Sequence, residues 1–426
     1  MEFKDFDIIR NLQEAIDEIG YKVPTPIQQQ AIPIILDEKD LVGTAQTGTG
    51  KTAAFAIPII NYLHKLVSNS KRVKRIRTLV LTPTRELAIQ IGENFEAYGK
   101  YTKIKTLVIF GGVSQVPQVD ALKEGMDVLV ATPGRLLDLH KQGFIDLDHL
   151  HHLVLDEADL MLDMGFINDV KKIIKLSPEN RQTLLFSATM PITIRELADT
   201  FLKNPKYVSV APVSSAADIV KQKVYFTEKE TKRKLLLHII QTENLKNALI
   251  FTRTKGGADN VAKFLKKNNI TAEAIHGDKS QSARQRVLNS FKNKEVDFLV
   301  ATDVASRGID IDSLPYVINF EIPNIPETFV HRIGRTGRAG NEGMAISFCG
   351  KDEKTYWQDI EKLIRKKIKV IEDHPFPWQE NAPKEATQNP PKKDFRNSKS
   401  KNNRQSSPKN NSRKSDNSKK NKKRWY

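Results

Sequence analysis

Residues 41–66 read LVGTAQTGTGKTAAFAIPIINYLHKL. An apolar, strand-like start at 41–43 runs into a glycine loop, Ala45 to Thr52, and then into a stretch of helical character. Strand, glycine loop and helix in that order are what a phosphate chain requires. Gly48 and Gly50 let the backbone turn tightly enough to aim N–H groups at phosphate oxygens, and the helix adds its positive N-terminal end. Ala45, Gln46, Thr47, Gly48, Thr49 and Gly50 are the candidate cradle, with Lys51 to reach the β and γ phosphates and the Thr52 hydroxyl to hold Mg2+. The usual pattern opens with glycine, and Ala45 stands in its place.

On the C-terminal side of this loop, short apolar runs alternate with amphipathic stretches. TLVLTP (78–83), TLVIFGG (106–112), DVLVATP (127–133), HLVLDEA (152–158) and TLLFSAT (183–189) form one series. NALIFTR (247–253), AEAIHGD (272–278), DFLVATD (297–303), YVINFEIP (316–323) and MAISFCG (344–350) form a second. Runs rich in Leu and β-branched residues, mostly followed by helix-like sequence such as RELAIQIGENFEAYGK, read as buried parallel strands in doubly wound α/β sheets. LVATP at 129 and LVATD at 299 hint at two related halves. The small, polar stretch APVSSAAD (211–218) is the linker candidate. We expect an α/β domain over 1–210, a linker over 211–219, a second α/β domain over 220–374 and a tail over 375–426.

Composition agrees with this division. The chain has 426 residues, 39% of them hydrophobic, enough for two or three cores. Its single Cys cannot pair within the chain, which fits a reducing cytoplasm. The start, MEFKDFDIIR, lacks a secretory pattern, and the longest apolar run, Ala53 to Ile60, is far short of the roughly 20 residues of a membrane span. A cytoplasmic protein is expected. The net charge of +17 is concentrated in residues 375–426, which hold 15 Lys and Arg against 4 Asp and Glu. From Glu380 onward there is no Leu, Ile, Val or Met, so this tail cannot bury enough surface to offset its ordering entropy and is expected to be disordered. It reads as a solubilising appendage or a phosphate-binding arm.

Two further stretches carry chemistry. LVLDEAD (153–159) is an apolar run ending in acids. Asp156, at a strand's carboxyl end, is where a second Mg2+-holding group is wanted, and Glu157 beside it could orient or deprotonate a water. Together with the glycine loop, the pair points to hydrolysis of ATP or GTP. HRIGRTGR (331–338) sets Arg332, Arg335 and Arg338 three residues apart, too much positive charge to bury without anionic partners. Arginines entering from a second domain can stabilise a transferring phosphoryl group, which would make hydrolysis depend on domain closure.

With these residues in order, the chain resembles the DEAD-box ATP-dependent RNA helicases over about residues 3–350; Asp156, Glu157, Ala158 and Asp159 spell the family's name. The resemblance implies two tandem RecA-like domains, ATP and Mg2+ as cofactors, and RNA as partner. GYKVPTPIQ (20–28) looks like the adenine motif, in which Gln28 would bond the base edge and Phe3 would stack on it. By the same resemblance Pro83, Thr84 and Arg85 of PTREL, Gly111 with Gly112, and Thr132, Pro133, Gly134 and Arg135 correspond to RNA-backbone contacts. In the second half Arg253, Thr302, Arg307 and Gly308 fall near RNA, Asp310 near the ribose, and Gln281 with Arg284 in a further RNA or nucleotide motif. Ser187 and Thr189 look like the segment that couples hydrolysis to strand separation, and His331 supports the arginine motif. Closure around ATP and RNA would bring Arg335 and Arg338 to the γ phosphate, so that the two ligands bind cooperatively.

The function implied is RNA-stimulated ATP hydrolysis coupled to local unwinding of short duplexes or remodelling of RNA–protein assemblies. The tail resembles, in composition, those of bacterial helicases acting in ribosome assembly, RNA decay or cold adaptation. An ATP-controlled RNA clamp and a DNA translocase are the alternatives. Other features read as structural: Cys349 as core, Tyr356 and Trp357 as packing, and nine His without ligand spacing. Trp425 and Tyr426, beside KKNKKR, could stack on bases.

Overall fold

A computed structural model describes residues 1–46, 48–68, 75–210, 220–303, 314–337 and 343–378. Thr47, the expected linker over 211–219, Arg307, Gly308, Asp310, Arg338 and the tail from residue 379 lie outside the described residues.

Among the described residues fourteen strands form two parallel sheets. In the first, β1 (Leu41–Thr44), β2 (Thr78–Leu81), β3 (Thr106–Ile109), β4 (Val128–Ala131), β5 (His152–Leu155), β6 (Gln182–Ser187) and β7 (Lys206–Ser209) stand in the order β3-β4-β2-β5-β6-β1-β7. In the second, β8 (Lys221–Phe226), β9 (Ala248–Thr252), β10 (Ala272–Ile275), β11 (Phe298–Thr302), β12 (Tyr316–Asn319), β13 (Met344–Cys349) and β14 (Lys369–Val370) stand as β10-β11-β9-β12-β13-β8-β14. Counted from the first strand of each sheet, the two orders are identical. The echoing LVATP and LVATD segments are the matching strands β4 and β11.

Central strands are buried on both faces because their side chains alternate between two cores. Val80, Val154 and Leu184 join the cluster around Ile27 and Phe55, whereas Leu79, Leu81, Leu153 and Leu155 join the one around Leu136 and Ile173. The second sheet divides in the same way, with Ile250 and Val300 facing one cluster and Leu249 and Leu299 the other. Among the described residues three helices start on side-chain caps that follow strands. Thr84 accepts from Leu87 N (3.3 Å), Thr254 from Gly257 N (3.0 Å) and Ser280 from Ala283 N (3.3 Å). Thr84 follows β2 and Thr254 follows β9, again matching places.

Strands β7, β8 and β14 were not among the apolar runs. They lie toward the β1 or β8 edge of each sheet, and their sequences, KYVS, KQKVYF and KV, are largely polar. The body continues past residue 374: Ile371 N and Trp378 N donate to Val224 and Phe226, and the Trp378 ring meets Phe226 edge-on at 5.2 Å. Trp357 packs edge-on against Phe329 at 5.8 Å, and Cys349 is fully buried, its thiol pushed up to about 12 by burial and by Glu353. Among the described residues no helix is long and apolar enough to cross a membrane.

Candidate nucleotide site and nucleic-acid interface

The glycine loop leaves β1 in lobe 1, the half built on the first sheet as lobe 2 is on the second, and Ala45 N extends the ladder by donating to Ser187 O of β6 (3.0 Å). Gly48 and Gly50 then take φ values of +78° and +93°, in the region that glycine alone enters without strain. Thr49 Oγ1 closes the turn by donating to Gln46 O (2.7 Å), and the helix Lys51–Ser68 begins at the lysine. Lys51 is buried. Its ammonium donates to Ala45 O (2.9 Å) and to Glu157 Oε1 (2.7 Å). Burial alone would lower its pKa, but the Glu157, Asp156 and Asp159 carboxylates outweigh it and hold the pKa above the ordinary value.

The acids follow β5. Asp156 is buried with its Oδ1 unpartnered, and burial together with the charge of Glu157 pushes its carboxyl up to about 7. An orphaned, desolvated carboxylate oxygen is a place where a hard cation would be held. Among the described residues no cluster of three or more His, Cys, Asp or Glu could hold a metal alone. Magnesium bound with phosphates needs only one or two protein carboxylates, so the donor set fits it. Glu157 is also buried and has left-handed backbone angles, φ 54° and ψ 53°. Such a conformation costs of order 1 kcal/mol for a side chain with a Cβ and is held here by the elements around it.

Asp159, given no role from sequence beyond its letter in the motif, joins three segments. Its Oδ2 accepts from Thr189 N (2.9 Å) and Thr189 Oγ1 (2.8 Å), and its own N–H donates to Ser187 Oγ (3.1 Å). Burial would raise its pKa; His331 of lobe 2, the Thr189 hydroxyl and Lys51 outweigh that and hold it low. The acid box therefore contacts the SAT segment directly and His331 electrostatically.

Gln28 borders this loop. Gln28 Oε1 accepts from Thr25 N (2.8 Å), capping the helix Pro26–Leu36, and its Nε2 donates to Gly50 O (3.2 Å). One amide hydrogen and one lone pair of Gln28 stay available for a base edge. Phe3 is buried, stacked on Tyr21 at 5.9 Å and edge-on to Phe6.

The nucleic-acid candidates cluster at the carboxyl ends of the strands. Pro83 and Thr84 follow β2, and Arg85 opens the next helix. Gly111 and Gly112 follow β3, and Gly112, at φ +75°, lies so close to the Arg85 guanidinium that a Cβ there would sit 2.0 Å from Nη2. Thr132 caps the helix that begins Pro133, Gly134, Arg135, and Arg135 Nη2 donates to Val113 O (2.9 Å) with Nη1 buried and unpartnered. In lobe 2, Arg253 N donates to Glu321 Oε2 (2.6 Å) and its guanidinium lies 3.3 Å from Glu353; Thr302 closes β11.

Two of the three arginines of HRIGRTGR are among the described residues. Arg332 is a fully buried structural residue: Nε and Nη2 grip Asp303 at 2.5 and 2.8 Å, Nη1 donates to Asn319 and Glu321 O, and the guanidinium lies over Phe251. Arg335 is buried one turn further on. Between the lobes, Glu86 of PTREL accepts from Gln281 Nε2 (3.2 Å) and pairs with Arg284 (3.0 Å), a link that sequence reasoning left unassigned.

Against known proteins, the DEAD/DEAH box helicase family matches residues 25–197 and the helicase conserved C-terminal domain matches 231–340. The DEAD-box ATP-dependent RNA helicase CshA of Geobacillus kaustophilus is 43% identical over 86% of this chain and 77% of its own length. RhpA of Helicobacter pylori, also a DEAD-box ATP-dependent RNA helicase, is 42% identical over 87% and 74%. Among solved structures, S. cerevisiae Dbp5 bound to RNA and ADP BeF3 superposes with a TM-score of 0.77 at 29% identity, covering 87% of this chain and 95% of that one. A DEAD box protein from Methanococcus jannaschii, 39% identical over 87% and 99%, superposes at 0.52. With both lobes matched in sequence and in fold, the chain belongs to the DEAD-box ATP-dependent RNA helicases, which bind RNA and use ATP to unwind it.

Proposed function

We propose that ATP is held in lobe 1 by the loop 45–52, and that the Lys51–Glu157 pair is the site's resting state, which the incoming phosphates open. The observation that carries this is the 2.7 Å contact between the two, buried beside the unpartnered oxygen of Asp156. Phosphate oxygens give Lys51 a stronger partner than Glu157. Released, the Glu157 carboxylate can orient a water and accept its proton. Asp156 and the Thr52 hydroxyl would hold magnesium, which when bound neutralises charge on the phosphates. Gln28 and Phe3 read the base; Arg335 and Arg338 stabilise the transferring phosphoryl group.

RNA lies across both lobes on Thr84, Arg85, Gly111, Gly112 and Thr132 to Arg135, and on Arg253, Thr302, Arg307 and Gly308. Contacts of this kind address the backbone and carry little sequence preference. Asp159, bonded to Thr189 and Ser187 and facing the charge of His331, makes the state of the ATP site felt by both lobes. The better superposition on RNA-bound Dbp5 than on the more similar archaeal chain supports an arrangement of lobes like that of the ligand-bound form. We place the protein in the cytoplasm, working on structured RNA in ribosome assembly, RNA decay or cold adaptation. Steady-state hydrolysis of ATP and GTP, each with no nucleic acid, with RNA and with single-stranded DNA of the same sequence, tests the reading. Stimulation by RNA alone with ATP preferred is expected. Equal stimulation by DNA would indicate a translocase, and tight ATP-dependent RNA binding without turnover a clamp.

A further inference from the structure

The matching strand orders have a counterpart in side chains. In lobe 1, Ala45 N donates to Ser187 O as the chain leaves β1, and six residues later Lys51 opens a helix; in lobe 2, Thr227 N donates to Cys349 O as the chain leaves β8, and five residues later Lys232 opens the helix Lys232–Thr242. Both lysines are buried, and each ammonium binds a backbone carbonyl and a buried glutamate. Lys232 donates to Phe320 O (3.0 Å), Phe348 O (2.9 Å) and Glu353 Oε2 (2.5 Å). Beside this pair opens a cavity of about 230 Å3 at the carboxyl ends of β9 and β12. In parallel α/β sheets that is the end at which ligands bind.

The chemistry of this cavity differs from that of lobe 1. Around Lys51 stand three carboxylates, Asp156, Glu157 and Asp159, a balance that suits a nucleotide arriving with a divalent cation. The lobe 2 cavity instead collects Lys229, Lys232, Arg233 and Arg253 against Glu321, Asp352 and Glu353. Lys232 and the Arg253 guanidinium (3.3 Å) both pair with Glu353, which also accepts from Ile322 N and Gly350 N, and Glu321 is engaged by Arg253 N. Lys229 and Arg233 are exposed at the rim, and among the described residues neither has a carboxylate within salt-bridge distance. The volume falls short of the roughly 300 Å3 at which drug-sized ligands begin to fit.

We propose that lobe 2 carries a second anion site, at the place matching the nucleotide site of lobe 1, which takes inorganic phosphate or pyrophosphate, or the terminal phosphates of a small molecule, without a divalent cation. Lys232, Arg253 and Glu353 form its fixed floor; Lys229 and Arg233 supply the free charge.

The test is a calorimetric titration of inorganic pyrophosphate into the full chain at constant ionic strength, with no divalent cation. Wild type, Lys51→Ala and the double variant Lys229→Glu/Arg233→Glu are compared, the last two positions being exposed, with Arg233 also resting over the Phe264 ring. Expected is binding that Lys51→Ala leaves unchanged and that the double reversal weakens tenfold or more. Binding abolished in Lys51→Ala but kept in the double variant would put the anion in lobe 1 and overturn the proposal. Equal binding in all three, which would place it on the basic residues beyond 378, would also overturn it, as would no binding at millimolar pyrophosphate. A short RNA in competition separates sources: if RNA displaces pyrophosphate and the double variant loses both alike, the site reads RNA phosphates and the small-anion assignment fails.

Discussion

At the scale of single residues, Gly50 shows how one position serves two motifs. Its φ of +93° excludes most side chains, and a Cβ on it would lie 2.3 Å from Gln28 Nε2. Gly50→Ala would therefore strain the loop and push away the side chain proposed to read the base. Nucleotide affinity should fall tenfold or more, whereas Gly256→Ala, with nothing within 4 Å, should leave it unchanged; equilibrium titration with a fluorescent ATP analogue compares the two. Glu157→Gln keeps the shape of the site but removes the base, so hydrolysis should fall by at least a hundredfold while ATP still binds; turnover at the wild-type rate would sink the role given to Glu157. A different rule governs Lys232. Replacing it by Met leaves buried Glu353 (1 % exposed) with Arg253, 3.3 Å away, as its remaining cationic partner, so the loss should fall short of the about 3–5 kcal/mol that breaking a buried pair outright costs. Urea unfolding of Lys232→Met should show a loss of about 1–3 kcal/mol, and a loss below about 1 kcal/mol would mean that Arg253 alone keeps Glu353 compensated.

At the scale of elements, β5 carries both the acid box and a pH sensitivity of its own. His152 in that strand is buried against the Tyr62 ring and beside Thr78 Oγ1, and burial, with the neighbouring His151, depresses its pKa to about 3. An unfolded chain binds a proton there near pH 6.5, whereas the folded one does not. Stability contributed by the neutral ring is thus complete above pH 6.5 and declines progressively as pH falls toward 3. Thermal melts at pH 7 and pH 5 should show a smaller acid-induced drop in His152→Gln than in wild type, provided the amide replaces the bond to Thr78; equal drops would assign the acid sensitivity elsewhere. The same strand explains what sequence could reveal. HLVL is apolar because both of its faces are covered, as are those of the other central strands, so the doubly wound fold was legible in the runs. KYVS, KQKVYF and KV sit at or next to the sheet edges and are only partly buried, and nothing in their hydropathy marks them as strands. Site residues followed the same division. Positions fixed by backbone chemistry, such as Gly48, Gly50 and Lys51, could be read directly, whereas Asp159, Glu86 and Lys232 act through partners more than twenty residues away.

At the scale of the whole molecule, two sets of charges are proposed to act on RNA, one between the lobes and one beyond residue 378. Glu86 with Gln281 and Arg284 ties lobe 1 to lobe 2, and residues in contact of this kind couple by about 0.5–3 kcal/mol. A double-mutant cycle on Glu86→Ala and Arg284→Ala should show non-additive losses in RNA-stimulated turnover, with ATP binding in the absence of RNA unaffected. Additive losses would mean that the pair does not hold the lobes together. The second set is the basic excess beyond the body. Of the net +17, residues 379–426 hold +11, and a segment with that charge would neutralise RNA phosphates without reading bases. Each phosphate neutralised on a single strand contributes about 0.7 to the slope of log affinity against log salt. Removing residues 379–426 should therefore weaken RNA binding most at low salt and make that slope shallower by about 0.7 for every phosphate the tail had neutralised. Maximal ATP turnover at saturating RNA should stay as it was, because nearly all of the proposed catalytic groups, Lys51, Asp156, Glu157 and Arg335 among them, lie in the body. Unchanged affinity at low salt would make the tail a bystander for RNA, and a fall in maximal turnover would show that it acts on the lobes themselves.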